Sequence, residues 1–583
     1  MARNFFIGVG GVGSRIMESL VRLCECGFVS ADRIGCVMVD VDQGHGNTNN
    51  TVKIINNYND LQKTLNSKNI FKTALEGAGP QNDPYRITPL DGISTTTVDS
   101  IAKGGSREDR NLANILFTDN EQSDDVAAGF YGNLALGNVF YNYALEKGGD
   151  NDNSPMSKFL KKIAEEAENQ EVKVFIAASL FGGTGASGVS FICHRLLEII
   201  GDSPKRDNVH IQAALMLPYF RYDENVDAVL QKDNEGNQEK QRIFYENFKK
   251  NAHAALDKYK MMHNVFDKVL LLGDPQLPIR GTYSHQGSNQ KNWPHILELF
   301  AAAEAGEFFN LPDGLPTQKF RNTEWHSNPH KVDADSSGRT GYKIEFLKWS
   351  DYKGGQNLKN SIENYLLFNY YYSTYVAPML FDYQNNALVS WNYKAQDANT
   401  ARRRDQMHEW AKHKFLKFEA GMLGLGGKHV DWLTGLAVTS FTKLFNYLTD
   451  SAQWYYTVAF DFGEAKIESR PCWEVPERPA CAGSPDCQRV RNPLVPKIFE
   501  GKNGGDGLKL IHERACLHKK PLAEYSQYSV KIHERFGRIQ PPLNQLPHTR
   551  NRRTSSEEEQ KAFFAEVVNE VYNRIKNTTP VAN

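Results

Sequence analysis

Residues 172–188 read VKVFIAASLFGGTGASG, and this stretch decides the fold. Its first eight positions, VKVFIAAS, are almost continuously apolar, which is the pattern of a strand covered on both faces. The run then breaks into Gly182-Gly183-Thr184-Gly185-Ala186-Ser187-Gly188, and a helix is expected over about 187–200. A glycine turn between a strand and a helix lets backbone N–H groups approach an anion at the helix N-terminus. Here the hydroxyls of Thr184 and Ser187 add further donors.

Working outward, the same alternation opens the chain. NFFIGV (4–9) is a short strand, and Gly8-Val9-Gly10-Gly11-Val12-Gly13 satisfies G-x-G-x-x-G. Ile16, Leu20, Val21 and Leu23 follow at helical spacing, and a second strand, IGCVMV (34–39), closes on Asp40. Asp40 and Asp42 stand where an acid would face a ribose or a metal. VHIQAALML (209–217), a polar helical stretch to about Lys260 and DKVLLLG (267–273) continue the pattern. Strands of this kind separated by helices predict a parallel, Rossmann-like α/β sheet across the first 275 residues. The plain alternative for each glycine turn is tight packing of strand on helix. Two phosphate turns in one sheet exceed what a simple dehydrogenase needs, whereas two on neighbouring strands can grip one polyphosphate from both sides.

The remainder divides less cleanly. Residues 43–127 are polar and weakly periodic, and read as insertion loops and short elements. PHILELFAAAEAGEFFN (294–310) is a strong helix with acidic residues on one side. Beyond it, an aromatic helix around 356–382, helical stretches at 400–420 and 430–449 and a strand at 455–462 suggest a second, α+β unit. The tail is rich in Pro, Gly and Cys and ends in an amphipathic helix with Phe563, Phe564, Val567, Val568, Val571 and Ile575 on one face, entered through a Ser556/Glu559 capping box. That face packs on its own protein or, alternatively, on a protein partner. The expected domains are 1–290 (nucleotide-binding), 291–312 (central helix), 313–463 (second α+β domain) and 464–583 (C-terminal extension).

At 583 residues the chain has room for two to four domains. Lys+Arg 68 against Asp+Glu 69 leaves a net charge of -1, which makes nucleic acid an unlikely partner and offers no attraction to acidic lipid. No run reaches the roughly 18 apolar residues of a membrane helix. Eight cysteines are too few for a disulfide framework in so long a chain, so a reducing, cytoplasmic location is expected.

The GGTG turn and its neighbours resemble the tubulin/FtsZ superfamily. The first turn is similar to that family's GVGGxGxN loop, with Ser14-Arg15 in the last places, and VMVDVDQ (37–43) is similar to VNTDAQ. Gly132-Asn133-Leu134-Ala135-Leu136-Gly137 resembles the ANPEVG loop over the terminal phosphate, and Leu217-Pro218-Tyr219-Phe220 the KPF segment. The 294–310 helix, entered by Asn292, resembles the long central helix with its base-reading Asn. The resemblance covers about residues 4–310. It departs from the family where Ala186-Ser187 inserts a residue before Gly188, where Gly273-Asp274 replaces the usual Asn, and after Asn310, where N-x-D-x-x-D is missing.

What the resemblance implies is a GTP/GDP and Mg2+ site that holds phosphate on Gly10, Gly11, Gly13, Gly132, Asn133, Gly183, Thr184, Gly185 and Ser187. Asp42 would serve the metal or its water, and Asp274 and Asn292 the base. It further implies hydrolysis completed by a carboxylate from a neighbouring subunit, with Asp351 the favoured residue, in a head-to-tail homo-oligomer or filament. The same fold could instead hold nucleotide as a sensing element without turnover. Bulkier residues at Gly183 and Gly185 are expected to abolish binding and spare the fold.

A rival resemblance is to ThiF-like adenylating enzymes, since GVGGVGS, VMVDVD and Asn47, Asn49 and Asn50 are similar to GxGGxGS…VDxDxVxxxNxxR. The expected Arg is missing, and the 182–188 turn would have no role. His408-Glu409 with His413 fails as a metal pair because a five-residue step rotates about 140° around a helix. His326 and His330 straddle Pro329. Cys472, Cys481, Cys487 and Cys516 lack the short spacing of a zinc knuckle, and zinc is the minor reading there. The run His548–Arg553 reads as a solvated linker.

Overall fold

The computed structural model describes residues 3–372 apart from internal stretches, the longest being 222–244, 275–289 and 344–354, together with scattered positions in 440–458 and 562–576. Asp351, the four tail cysteines, His408, His413, the 548–553 run and most of the expected second and C-terminal domains lie outside the described residues. The chain divides into two packed units. One comprises Met1–Leu23, Val29–Asn56 and Thr73–Leu347, the other Cys24–Phe28, Asn57–Lys72 and Lys348–Asn583.

The first unit is a doubly wound α/β fold. Its strands are β1 (Arg3–Val9), β2 (Arg33–Val39), β3 (Ala74–Gly77), β4 (Arg86–Ile87), β5 (Val172–Ser179), β6 (Val209–Met216), β7 (Lys268–Leu272) and β8 (Glu324–Ser327). They pair in the order β3-β2-β1-β5-β6-β7-β8, with β4 also on β2, and every pairing is parallel. β9 (Lys331–Ala334) and β10 (Thr340–Lys343) form a separate antiparallel pair. The helices are α1 (Gly10–Glu25), α2 (Gly46–Leu65), α3 (Val98–Gly104), α4 (Arg107–Leu116), α5 (Asp119–Ser123), α6 (Leu134–Gly148), α7 (Pro155–Glu166), α8 (Gly183–Ile200), α9 (Tyr245–Lys260), α10 (Ile296–Asn310) and α11 (Gly355–Tyr371).

Two consequences of this order position the site. The chain leaves β1 toward β2 but leaves β5 toward β6, so the winding reverses between β1 and β5. Open parallel sheets bind their ligands at the carboxyl ends of the strands beside such a reversal. All of β5 is buried, as its apolar run requires, and Phe6 stacks on Phe175 at 5.8 Å between ring centroids. α10 packs against β5, β6 and β7 and is buried nearly all round, which is why Ala, Leu and Phe occupy every side of it. The expected acidic face is therefore only partial, since Glu298 is fully buried.

Other expectations need correction. Residues 43–127 hold more than loops: α2 is 20 residues long, and β3 and β4 extend the sheet. The periodicity of α2 is hidden because its buried stripe begins with Asn47, Thr48 and Thr51 before reaching Ile55 and Tyr58. α8 starts inside the glycine turn, at Gly183, rather than near 187. Within the strand expected at 455–462, the described residues 455 and 458 are helical, as is 454, and the other positions lie outside the described residues. Leu444, Leu448, Ser451, Tyr455 and Val458 are buried at steps of three and four, the spacing of one helical face.

In the second unit Tyr58, Leu61, Leu65, Ile70 and Phe71, and Leu358, Ile362, Tyr365 and Phe368 of α11, are all buried, and the Phe71 ring stacks on Tyr58 and meets Tyr365 edge-on. Glu25 is buried there and accepts hydrogen bonds from the hydroxyls of Tyr365 (3.0 Å), Tyr447 (2.5 Å) and Ser451 (2.6 Å). The described positions of the last helix bury Phe564, Val568 and Tyr572. Asn69 donates to Asn573 at 2.7 Å, and the Phe368 ring meets Tyr572 edge-on. Among the described residues no helix is long and apolar enough to cross a membrane.

Candidate functional site

Both glycine turns sit at the carboxyl ends of the two strands that flank the reversal. β1 passes into α1 at Gly10, whose φ of +71° is a left-handed conformation that side chains disfavour. Gly8 and Gly13 serve close packing. A Cβ on Gly13 would lie 2.6 Å from the Ala177 carbonyl oxygen, and one on Gly8 the same distance from the Gly13 carbonyl oxygen. Close packing thus accounts for Gly8 and Gly13, and the left-handed backbone for Gly10.

The second turn opens α8 with Gly182 as its N-cap, without a side-chain cap. The first amides of α1 and α8 have no partner within their own helices by helical geometry, and point to the same end of the sheet. The two turns face each other: a Cβ on Gly10 would be 3.4 Å from both the Gly185 nitrogen and the Thr184 Cβ. Gly183 and Gly185 are also packing positions, because added Cβ atoms would meet the Phe130 Cβ at 2.5 Å and the Ser179 carbonyl oxygen at 2.6 Å. This corrects the expectation that larger residues there leave the fold intact.

Around this pair the other sequence-derived residues take distinct places. The Thr184 hydroxyl donates to Asp40 at 3.4 Å, while that of Ser187 turns back to the Gly183 carbonyl at 2.6 Å. Asp42 accepts from the Gly44 amide at 2.9 Å. Burial, reinforced by the neighbouring Asp42, pushes the Asp40 carboxyl up to about 7, and burial raises Asp42 to about 6. Both acids border a cavity of about 170 Å³ that is also lined by Thr48, Asp83 and Arg86.

Phe130 and Asn133 reach the second turn, since the Phe130 Cβ and the Asn133 carbonyl adjoin Gly183. Gly132 has φ +72°, and its carbonyl accepts from Asn251. Asn133 caps α6 by accepting from the Ala135 and Leu136 amides, and donates to Glu121. Asn292 lies before α10, outside its first turn, where it exchanges two hydrogen bonds with Asn47 at 2.9 and 3.1 Å. Asp274 is buried opposite His295, 3.8 Å away.

Three features escaped the sequence reading. The His45 ring lies over Gly11, with Cε1 2.7 Å from where a Cβ would stand. Burial, with Arg15 nearby, lowers the His45 imidazole to about 4, so it is neutral at ordinary pH. Thr48 shares a 2.9 Å hydrogen bond with Ser14, which fixes the first turn of α2 against α1. Arg15 is buried, donating to Glu298 at 2.7 Å and to Tyr219 at 2.5 Å, and Tyr219 donates to the same carboxylate. Its partners are more than 200 positions away in sequence, where no local pattern announces them. The Ser14-Arg15 departure from the glycine-loop pattern was the one available signal.

The first unit therefore defines a doubly wound α/β protein with paired glycine turns at its winding reversal. No protein-family model and no curated protein matches the chain.

Proposed function

We propose that the first unit binds a guanine nucleotide, with the polyphosphate held between the α1 and α8 turns, as in the tubulin/FtsZ superfamily that the motifs resemble. The observation that supports this most is the opposition of Gly10 to Thr184 and Gly185 at the ends of β1 and β5. A ThiF-like adenylating site leaves the second turn without a role.

The residues present fit a magnesium ion. Among the described residues no group of three or more His, Cys, Asp or Glu could hold a metal alone. Magnesium, however, is commonly held by one or two carboxylates together with substrate phosphates. Asp40 and Asp42 supply that number and border one cavity. When bound, the ion would offset phosphate charge. Asp42 and Asp40 would hold it, the helix N-termini would orient the phosphates, and Thr184 would add a donor. In this reading turnover requires a carboxylate from a second copy of the chain, Asp351 being the favoured residue, so hydrolysis is coupled to head-to-tail assembly.

The test is GTP hydrolysis per subunit across a protein concentration series, with light scattering on the same samples and ATP as control. A threshold shared by turnover and scattering is the expected result. GTP binding without either would identify a nucleotide-sensing module, and pyrophosphate release from ATP would point to adenylation.

A further inference from the structure

The two glycine turns open different helices, so the gap between them is set by whatever ties those helices together. The loop after β6, Leu217-Pro218-Tyr219-Phe220, makes such a tie within the first unit. Tyr219 is fully buried, and its ring meets Phe181, the residue just before the second turn, edge-on at 6.0 Å. Its hydroxyl accepts from the Arg15 guanidinium and donates to Glu298, both at 2.5 Å. Arg15 stands on α1 about one and a half turns beyond Gly10, so holding it holds the first turn. Phe220 repeats the link, its ring 5.7 Å from that of Phe181 and 5.0 Å from the Arg15 Cζ. On α10, one oxygen of Glu298 receives both Arg15 Nε and the Tyr219 hydroxyl, and the other accepts from the His295 amide at 3.0 Å. Apolar side chains of similar volume often serve stability as well as a buried ion pair does. What the guanidinium fork adds is direction, because it fixes its partners at one distance and angle.

We propose that Arg15 and Tyr219 are positioning residues of the nucleotide site: by joining α1 to Phe181 they set the gap between the two glycine turns, and with it the length of polyphosphate that the site selects. The inference rests on the nucleotide reading above and adds to it a determinant of specificity that no motif carries. Both residues act through the backbone of the turns, not by touching the ligand. Loosening the network therefore costs most for a ligand that must meet both turns at once, and least for one that a single turn can hold.

The experiment is calorimetric titration of the full chain with GTP, inorganic tripolyphosphate and pyrophosphate, for the wild type, Tyr219→Phe and Arg15→Lys. Phe keeps the ring on Phe181 and removes the hydroxyl; Lys keeps the charge and removes the fork. The wild type is expected to prefer tripolyphosphate to pyrophosphate. Tyr219→Phe is expected to lose about tenfold of that preference, the equivalent of one hydrogen bond to a charged group, with pyrophosphate affinity close to wild type. A preference that stays at the wild-type value, whether both ligands weaken equally or neither does, would give the network a purely structural role and overturn the proposal. A wild type that binds GTP without preferring the longer polyphosphate would overturn the gap as a determinant and leave the nucleotide reading standing. One that binds no GTP would overturn that reading and this inference together. Should Tyr219→Phe melt too low for titration, Arg15→Lys decides by the same ratio.

Discussion

The two glycine turns look alike in sequence, a strand giving way to glycines and then a helix, yet they are built on different principles. The first is made of backbone: Gly8 and Gly13 press β1, α1 and β5 together, Gly10 takes a left-handed conformation, and His45 reaches across from another element. The second carries its polar groups itself. Its helix begins without backbone strain at Gly182, φ -90°, and Thr184 links it to Asp40. The glycine motif alone does not say which glycine serves the core, and the space around each Cβ does.

That distinction can be broken or sharpened by substitution. Gly13→Ala should have the largest effect, destabilising the first unit by about 3 kcal/mol or more because its Cβ meets rigid backbone on both sides. A urea midpoint close to wild type would show that β1 and α1 can part cheaply. Next in size is the pH response of Asp40. Its folded-state pKa of about 7 lies above the unfolded value near 3.8, so the folded state holds the extra proton. The group's contribution to stability is complete below about pH 4 and is lost as pH rises through about 7. Asp40→Asn should therefore flatten the fall in melting temperature between pH 5 and 8, gaining on the order of 2 kcal/mol at the alkaline end. An unchanged slope would place the titration elsewhere.

Gly10→Ala ranks third. The left-handed backbone costs about 1–2 kcal/mol for a residue with a Cβ. The neighbours at 3.4 Å leave the fold intact while the added methyl intrudes between the two turns. Nucleotide affinity measured by fluorescence titration should fall further than stability does, the reverse of Gly13→Ala. The smallest change is Thr184→Val, which removes one hydroxyl at a cost under about 1 kcal/mol in stability and should weaken nucleotide binding several-fold. Equal affinity would mean that the Thr184 hydroxyl takes no part in binding.

The sheet and the position of both turns were legible because buried parallel strands and glycine turns are local signals. NFFIGV and VKVFIAAS are strands in any reading, and each is followed by its glycine turn. What stayed hidden depended on contacts across the chain or on polar residues in apolar roles. The α2 stripe begins with Asn and Thr, so its period was masked. Arg15 acquires meaning only from Glu298 and Tyr219, and His45 only from the bareness of Gly11. The 455–462 segment misled because YYTVAFDF has strand composition, while the helical burial spacing that takes in Tyr455 and Val458 starts at Leu444, eleven residues before Tyr455.

The second unit has a consequence for how the protein is made. Its core joins Asn57–Lys72 to the helix that carries Phe564, Val568 and Tyr572, and the Asn69–Asn573 hydrogen bond spans 504 positions. Translation proceeds at roughly 5–20 residues per second, so the apolar side of Tyr58, Leu65 and Phe71 waits on the order of half a minute or more for its last partner. Over that interval the first unit can complete its sheet while the second holds an open apolar surface. A nascent chain is therefore most exposed to chaperones, and to misassociation with its neighbours on the same messenger, in the interval before the final helix leaves the ribosome.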